Sequence, residues 1–359
     1  MKNPALSGKK RLLFYSIYYP LTALLVFSLA EAAARLMGYR PWTRTKPDTV
    51  VEPGGRFFRA HPTLGYTPLP GTLKVTLSGS YSYNVTNLGN TLRVTHPLST
   101  YPGHAKKSIW IFGDSITYGQ SVNDAETYCW LLQEKFPEYE VVNFGVMGYG
   151  TVQSLIQLRD ALNNRDKPEL VVLTYGSWQD VRNTAIRGWR KALRPSASLG
   201  LVTQPYARLN KEGRLEILRD PDLFREFPLM RYSAFINALE EGYDRYEERH
   251  SQSHEVTKAT IKEISDLCKT SGIELAFAAL TSDPTTSDML EYCKHEGAKT
   301  VNIWVDFLSI KENNNLPYDS HPSAIAHRQY AQKLEAFLRG NVLRLTTQPT
   351  ALKLQTPNQ

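Results

Sequence analysis

Apolar and polar positions along this chain follow three successive rhythms. From Leu12 to Ala30 there is no charged residue for nineteen positions, the length of a helix able to cross a hydrocarbon core. Residues 41–104 then alternate apolar and polar side chains in short segments. Lys74-Val75-Thr76-Leu77 and Tyr81-Ser82-Tyr83-Asn84-Val85 are examples, and they predict short antiparallel strands. Beyond residue 104, compact apolar runs alternate with stretches of helical period. The runs predict strands at 108–112, 139–143, 169–175, 273–280 and 300–304. The stretches between and after them predict helices at 125–136, 151–165, 254–271, 286–297 and 322–339. Such alternation implies βαβ units and an α/β fold whose parallel sheet is covered on both faces.

This pattern divides the chain into four parts. Residues 1–40 form a basic N-terminus with a transmembrane anchor, and residues 41–104 a lead-in with short β segments. Residues 105–340 form the α/β domain, and residues 341–359 a polar tail expected to lack fixed structure. An insertion at 185–250 interrupts the alternation. It carries Trp189 and a predicted helix at 231–249, and it is expected to lie over the strand ends as a cap.

Composition changes this picture little. The chain is 42% hydrophobic and 21% charged, as expected of a globular protein with a packed core. A net charge of +7 hints at nucleic acid, but the excess is confined to the N-terminus. Lys2, Lys9, Lys10, Arg11, Arg35, Arg40, Arg44 and Lys46 face only Glu31 there, and the rest of the chain is neutral. No nucleic-acid partner is implied. The bases before Leu12 place the N-terminus inside the inner (cytoplasmic) membrane and the domain outside it, against which stand Arg35, Arg40 and Arg44. A cleavable signal peptide is the rival reading, because Ala30-Glu31-Ala32 resembles a small-residue cleavage site. The length of the apolar run favours an uncleaved, single-pass anchor through residues 12–30.

Three cysteines are too few and too scattered for a disulfide framework or a metal cluster. Cys129 reads as a small buried hydrophobe. Cys268 and Cys293 have the option of pairing if the domain is exported.

The stretch with candidate chemistry is Ile109-Trp110-Ile111-Phe112-Gly113-Asp114-Ser115. An apolar strand is broken by Gly-Asp-Ser where a helix begins, at the strand end where ligand-handling residues collect in open α/β sheets. A serine there suits a nucleophile whose reaction creates negative charge beside free backbone N–H groups. Helix capping by Asp114-Ser115 is the alternative. A candidate base lies in Asp319-Ser320-His321, where the carboxylate has the spacing to hold one imidazole nitrogen; a surface or capping histidine is the alternative. His327, six residues later, reads as a packing residue. Gly145-Val146-Met147-Gly148 follows the second strand, where the Gly148 N–H is a candidate oxyanion donor or part of a plain turn. Gln179, after the third strand, offers a side-chain amide for the same purpose.

Taken together, these residues resemble the SGNH/GDSL hydrolase family, whose four sequence blocks stand in order over residues 108–335. The resemblance extends to membrane-anchored bacterial members, through Glu31-Ala-Ala-Ala-Arg-Leu-Met-Gly38, Leu64-Gly65-Tyr66 and Asn87-Leu88-Gly89. It implies a three-layer α/β/α, flavodoxin-like fold. Ser115 would be the nucleophile, His321 and Asp319 would complete the triad, and the N–H groups of Ser115 and Gly148 with the Gln179 amide would form the oxyanion hole. Gln179 departs from the family's asparagine, and Asp-x-His from the commoner Asp-x-x-His. The implied function is a serine esterase or deacylase acting on acyl groups of a cell-envelope carbohydrate or lipid, without a metal or organic cofactor. O-acyl transfer to a polysaccharide and a non-catalytic binding or assembly role are the alternatives. Oligomeric state is left open.

Overall fold

The computed structural model describes residues 8–43, 48–100, 107–193, 199, 202–221 and 224–343. The predicted tail lies outside them from residue 344 onward. Helix α1 (Gly8–Leu36) is long and apolar enough to cross a membrane, with Pro20 inside it. Antiparallel strands follow: β1 (Thr49–Glu52), β2 (Phe58–His61), β3 (Gly65–Pro68), β4 (Gly71–Leu77) and β5 (Tyr81–Asn87). Strands β1, β4 and β5 form one sheet, and β2 with β3 forms a hairpin.

The α/β domain then runs through β6 (Ser108–Phe112), α2 (Ser115–Tyr118), α3 (Tyr128–Lys135), β7 (Glu140–Asn143), α4 (Thr151–Asn164) and β8 (Leu170–Tyr175). Helix α5 (Gln179–Asn183) follows, and the inserted segment holds α6 (Arg187–Leu193), β9 (Thr203–Leu209), β10 (Leu215–Pro221) and α7 (Ala234–His250). The chain continues with α8 (Ser253–Ser271), β11 (Glu274–Ala279), α9 (Pro284–His295), β12 (Lys299–Asn302), β13 (Asn314–Asn315), β14 (Asp319–Pro322) and α10 (Ala324–Asn341).

Five strands form the central sheet in the order β12-β11-β8-β6-β7, all parallel. By sequence rank along the sheet this is 5-4-3-1-2, the flavodoxin-like doubly wound order. Strand β6 shows why an unbroken apolar run marks a central strand: both of its faces are covered. Ile109 and Ile111 pack toward α3 and α10, among Leu132, Tyr330 and Leu334. Trp110 and Phe112 point the other way, toward α4, α8 and α9, among Leu155, Leu158, Ile261 and Met289. Each such buried side chain contributes about 2 kcal/mol by leaving water. Three layers result, α/β/α. Cys129, Cys268 and Cys293 are all buried and unpaired, with Cys268 and Cys293 packed in the α4-α8-α9 layer.

The lead-in is joined to this sheet. Arg93 bridges Asn87 of β5 and Asn143 of β7, continuing the antiparallel sheet into the parallel one. Its side chain is buried and donates to the carbonyls of Tyr118 (2.9 Å), Gly119 and Val122 (2.7 Å), with Asp124 as its counter-ion at 3.1 Å. In the insertion the hairpin, β9 with β10, packs on α4 and α8 through Val152, Ala207 and Val256. Leu193 of α6, Leu199 and Val202 pack against Tyr66, Val146 and Tyr149, beside the loop that follows β7.

At the other end, α7 is seated on α1. Glu31 accepts from the Ser233 hydroxyl (2.7 Å) and from the N–H groups of Ala234 (3.1 Å) and Phe235 (3.0 Å). Phe27 meets Phe235 edge-on at 5.9 Å.

Candidate active site

The site is built at the carboxyl ends of β6, β7 and β8, beside the point where the strand order reverses. Gly113 ends β6 where a side chain has no room: a Cβ would collide with the hydroxyls of Thr117 and Thr174. Those hydroxyls bond each other at 2.6 Å, and Thr174 also donates to the Phe112 carbonyl at 2.9 Å, which seats α2 directly on the strand ends. Asp114 then caps α2, its Oδ1 accepting from the Ile116 N–H at 3.1 Å. Capping is thus the work of Asp114, and it leaves the Ser115 hydroxyl uncommitted to the helix end.

Asp319 and His321 are alternate residues of β14, so their side chains leave the same face of the strand. His321 Nδ1 lies 2.7 Å from Asp319 Oδ1, and Nε2 lies 3.0 Å from Ser115 Oγ. Asp319 Oδ2 also accepts from Gln120 (3.1 Å) and Ser121. Burial alone would raise the Asp319 pKa. The hydrogen bond and charge of His321, followed by Ser121 and Gln120, outweigh burial and hold it at about 2. An ionised carboxylate only accepts, so Nδ1 carries the imidazole proton and Nε2 is free to accept from the serine hydroxyl.

As the first residue of α2, Ser115 has an N–H without an intrahelical acceptor. Gly148 sits after β7 at φ +78°, and its N–H has no acceptor among the described residues. A Cβ at 148 would meet the Tyr66 hydroxyl, with the Trp189 ring next at 3.4 Å.

The Gln179 side chain is fully buried, with Nε2 3.4 Å from both Asp114 Oδ2 and the Thr174 carbonyl and Oε1 without a partner among the described residues. Its amide sits against the carboxylate that caps α2. Asn183, a neighbour of similar chemistry, is equally committed: it accepts from Val152 N–H at 3.0 Å and donates to Thr151 and Thr257. Asp180 accepts from Tyr175 (2.9 Å) and faces His254 Nδ1 (2.7 Å).

Three further residues shape the site, and the motifs gave none of them a role. Trp178 donates its indole N–H to Asp114 Oδ2 at 2.5 Å. Arg182 donates to the same oxygen and to the Tyr149 carbonyl, both at 3.0 Å, while its guanidinium lies 4.9 Å over the Trp189 ring. Tyr66, in the Leu-Gly-Tyr of the lead-in, donates to the Met147 carbonyl at 2.7 Å. His327 is the packing residue it was expected to be: buried, stacked on Tyr128 and accepting the Tyr128 N–H at 3.2 Å.

A hydroxyl facing an imidazole that a carboxylate orients, with two N–H groups that have no acceptor among the described residues, has the parts needed for nucleophilic acyl transfer.

No protein-family model matches the chain, and no curated protein matches its sequence. Solved structures similar to it include TesA, at 13% identity and TM-score 0.40 over 65% of this chain and 98% of that one. The psychrotrophic esterase EstA from Pseudoalteromonas sp. aligns at 14% identity and TM-score 0.39, over 65% of this chain and 97% of that one. A member of the lipolytic protein G-D-S-L family from Veillonella parvula aligns at 13% identity and TM-score 0.36, over 65% and 99%.

Proposed function

We propose that this chain is a membrane-anchored serine ester hydrolase of the SGNH/GDSL type. The observation that carries the reading is the position of His321, with Nε2 3.0 Å from Ser115 Oγ and Nδ1 2.7 Å from Asp319. In the proposed reaction, His321 takes the Ser115 proton as Oγ attacks an ester carbonyl. The N–H groups of Ser115 and Gly148 hold the resulting oxyanion. As the tetrahedral adduct collapses, His321 returns the proton to the departing alcohol. A water molecule, deprotonated by the same imidazole, then hydrolyses the acyl-serine.

The substrate class we favour is a short acyl group, such as O-acetyl, on a cell-envelope carbohydrate or lipid. Its support is the anchor: α1 has the length and apolarity of a span, and the bases before it favour a domain outside the cytoplasm. The Glu31 contacts support an uncleaved helix, because processing after Ala32 would remove the residue that caps α7.

Two assays test the proposal. The wild-type chain should be labelled by a fluorophosphonate and should hydrolyse p-nitrophenyl acetate, and Ser115→Ala should do neither. A wild-type chain inert in both assays would overturn it.

A further inference from the structure

The lead-in supplies one side chain to the oxyanion loop, and its contact falls on a particular peptide. The Tyr66 hydroxyl donates to the Met147 carbonyl at 2.7 Å. That carbonyl and the Gly148 N–H belong to the same planar peptide group and point in opposite directions. A donor that holds the C=O therefore also fixes where the N–H aims. It polarises the amide as well, making the N–H a stronger donor when charge develops opposite it. We infer that Tyr66 is a positioning residue of the oxyanion hole, acting through the Met147–Gly148 peptide; the inference rests on the hydrolase reading above.

The surroundings support this role. Gly148 is held at φ +78°, and a Cβ there would collide with the Tyr66 hydroxyl, so the loop is closed down onto the phenol. The contact is reciprocal: Tyr149 returns a hydrogen bond from its own hydroxyl to the Tyr66 carbonyl. The two rings meet edge-on at 5.5 Å, and Phe58 backs Tyr66 at 5.0 Å. Tyr66 is thus fixed on both its main chain and its ring, and its hydroxyl has a firm base from which to hold the loop. On the far side, Arg182 holds the next carbonyl but one, that of Tyr149. Tyr66 thus holds the Met147–Gly148 peptide, and Arg182 the Tyr149–Gly150 peptide just beyond it.

Such a residue acts only as the oxyanion forms, so its loss lowers kcat and spares ground-state binding. Tyr66→Phe keeps the ring and its packing. It should lower kcat for p-nitrophenyl acetate about 5- to 30-fold, with KM within about twofold of wild type. The discriminating readout is a trifluoromethyl ketone inhibitor, which forms the tetrahedral oxyanion with the serine. Its Ki should rise by the same factor as kcat falls, while labelling of Ser115 persists at a reduced rate. A merely structural role would shift the melting temperature without that proportionality. An active wild-type enzyme whose Tyr66→Phe variant keeps its kcat, or loses kcat with an unchanged Ki, overturns this inference alone. A wild-type chain that neither turns over ester nor accepts the label overturns it together with the hydrolase reading.

Discussion

Arg182 and Asp114 form an ion pair at 3.0 Å in which the arginine side chain is 14% exposed and the aspartate 0%. It lies directly behind the proposed nucleophile, because the other oxygen of Asp114 caps the helix that begins at Ser115. Removing one partner leaves a buried charge without compensation, at a cost of about 3–5 kcal/mol. Arg182→Gln should lower the midpoint of chemical denaturation accordingly, and should also lower kcat. Arg182→Lys should recover part of the stability and less of the activity, because a lysine lacks the planar guanidinium that lies over the Trp189 ring. A Gln variant as stable as wild type would show that the pair contributes no net stability.

Ser115, His321 and Asp319 should behave as one unit. Ser115→Ala and His321→Ala should each abolish esterase activity, and the double variant should lose little more than either. With Asp319 held at about 2, its carboxylate stays ionised through the neutral and mildly acidic range. Asp319→Asn should therefore depress kcat throughout that range, because an amide replaces the ionised acceptor that faces the imidazole. Near-normal turnover in His321→Ala would remove that residue from the mechanism.

Gln179→Ala should act on stability and leave the chemistry nearly intact. Its amide is enclosed against Asp114 and Thr174, so truncation opens a buried void. We expect a loss of about 1–2 kcal/mol in a thermal or denaturant melt, with kcat changed less than about threefold. A hundredfold fall in kcat at unchanged stability would return Gln179 to the oxyanion hole.

His327 should give the fold an acid-sensitive slope. Burial, then the positive charge of Arg93 and His321, pushes its pKa from 6.5 down to about 3. The native state thus disfavours protonation. Its contribution is fully present above about pH 6.5 and is lost as pH falls toward 3, at about 1.4 kcal/mol per unit. His327→Gln, which keeps an acceptor for the Tyr128 N–H, should flatten stability against pH between 6 and 4 by about one proton. An unchanged slope would place the acid sensitivity elsewhere.

The proposed topology makes a separate prediction. A reporter active only in the cytoplasm, joined after Gly340, should stay silent, and a mature chain beginning near residue 33 should not be found. A bright reporter would reverse the orientation.

Much of this was legible from local pattern. The strand β6 spans 108–112 in both sequence and structure because a strand covered on both faces is apolar along its buried length, here Ile109 to Phe112. The Asp319 and His321 spacing was readable because two residues along a strand share a face. The hairpin of β9 and β10 was missed, since its outer strand is largely exposed and carries little alternation. Tyr66 was noticed as a motif, but its hydrogen bond spans 81 residues of chain, and nothing local encodes the partner. The contacts of Gln179 were illegible for a related reason. It opens a short helix, and the helical turn sends its side chain inward while Trp178 and Arg182 take the positions around Asp114.

The seat of α7 on α1 bears on how far the enzyme can reach. Glu31, one residue beyond the uncharged run, is hydrogen-bonded into the first turn of a helix whose partner α6 borders the site. A flexible tether would let a catalytic domain sweep a volume that grows with linker length. Here the C-terminal part of α1 is itself joined to the domain through Phe27 and Glu31, which leaves no slack. On the proposed reading, with α1 in a bilayer, Ser115 keeps a set height and a set heading above the membrane. Esters brought to that height are within reach, and those farther out have to be delivered.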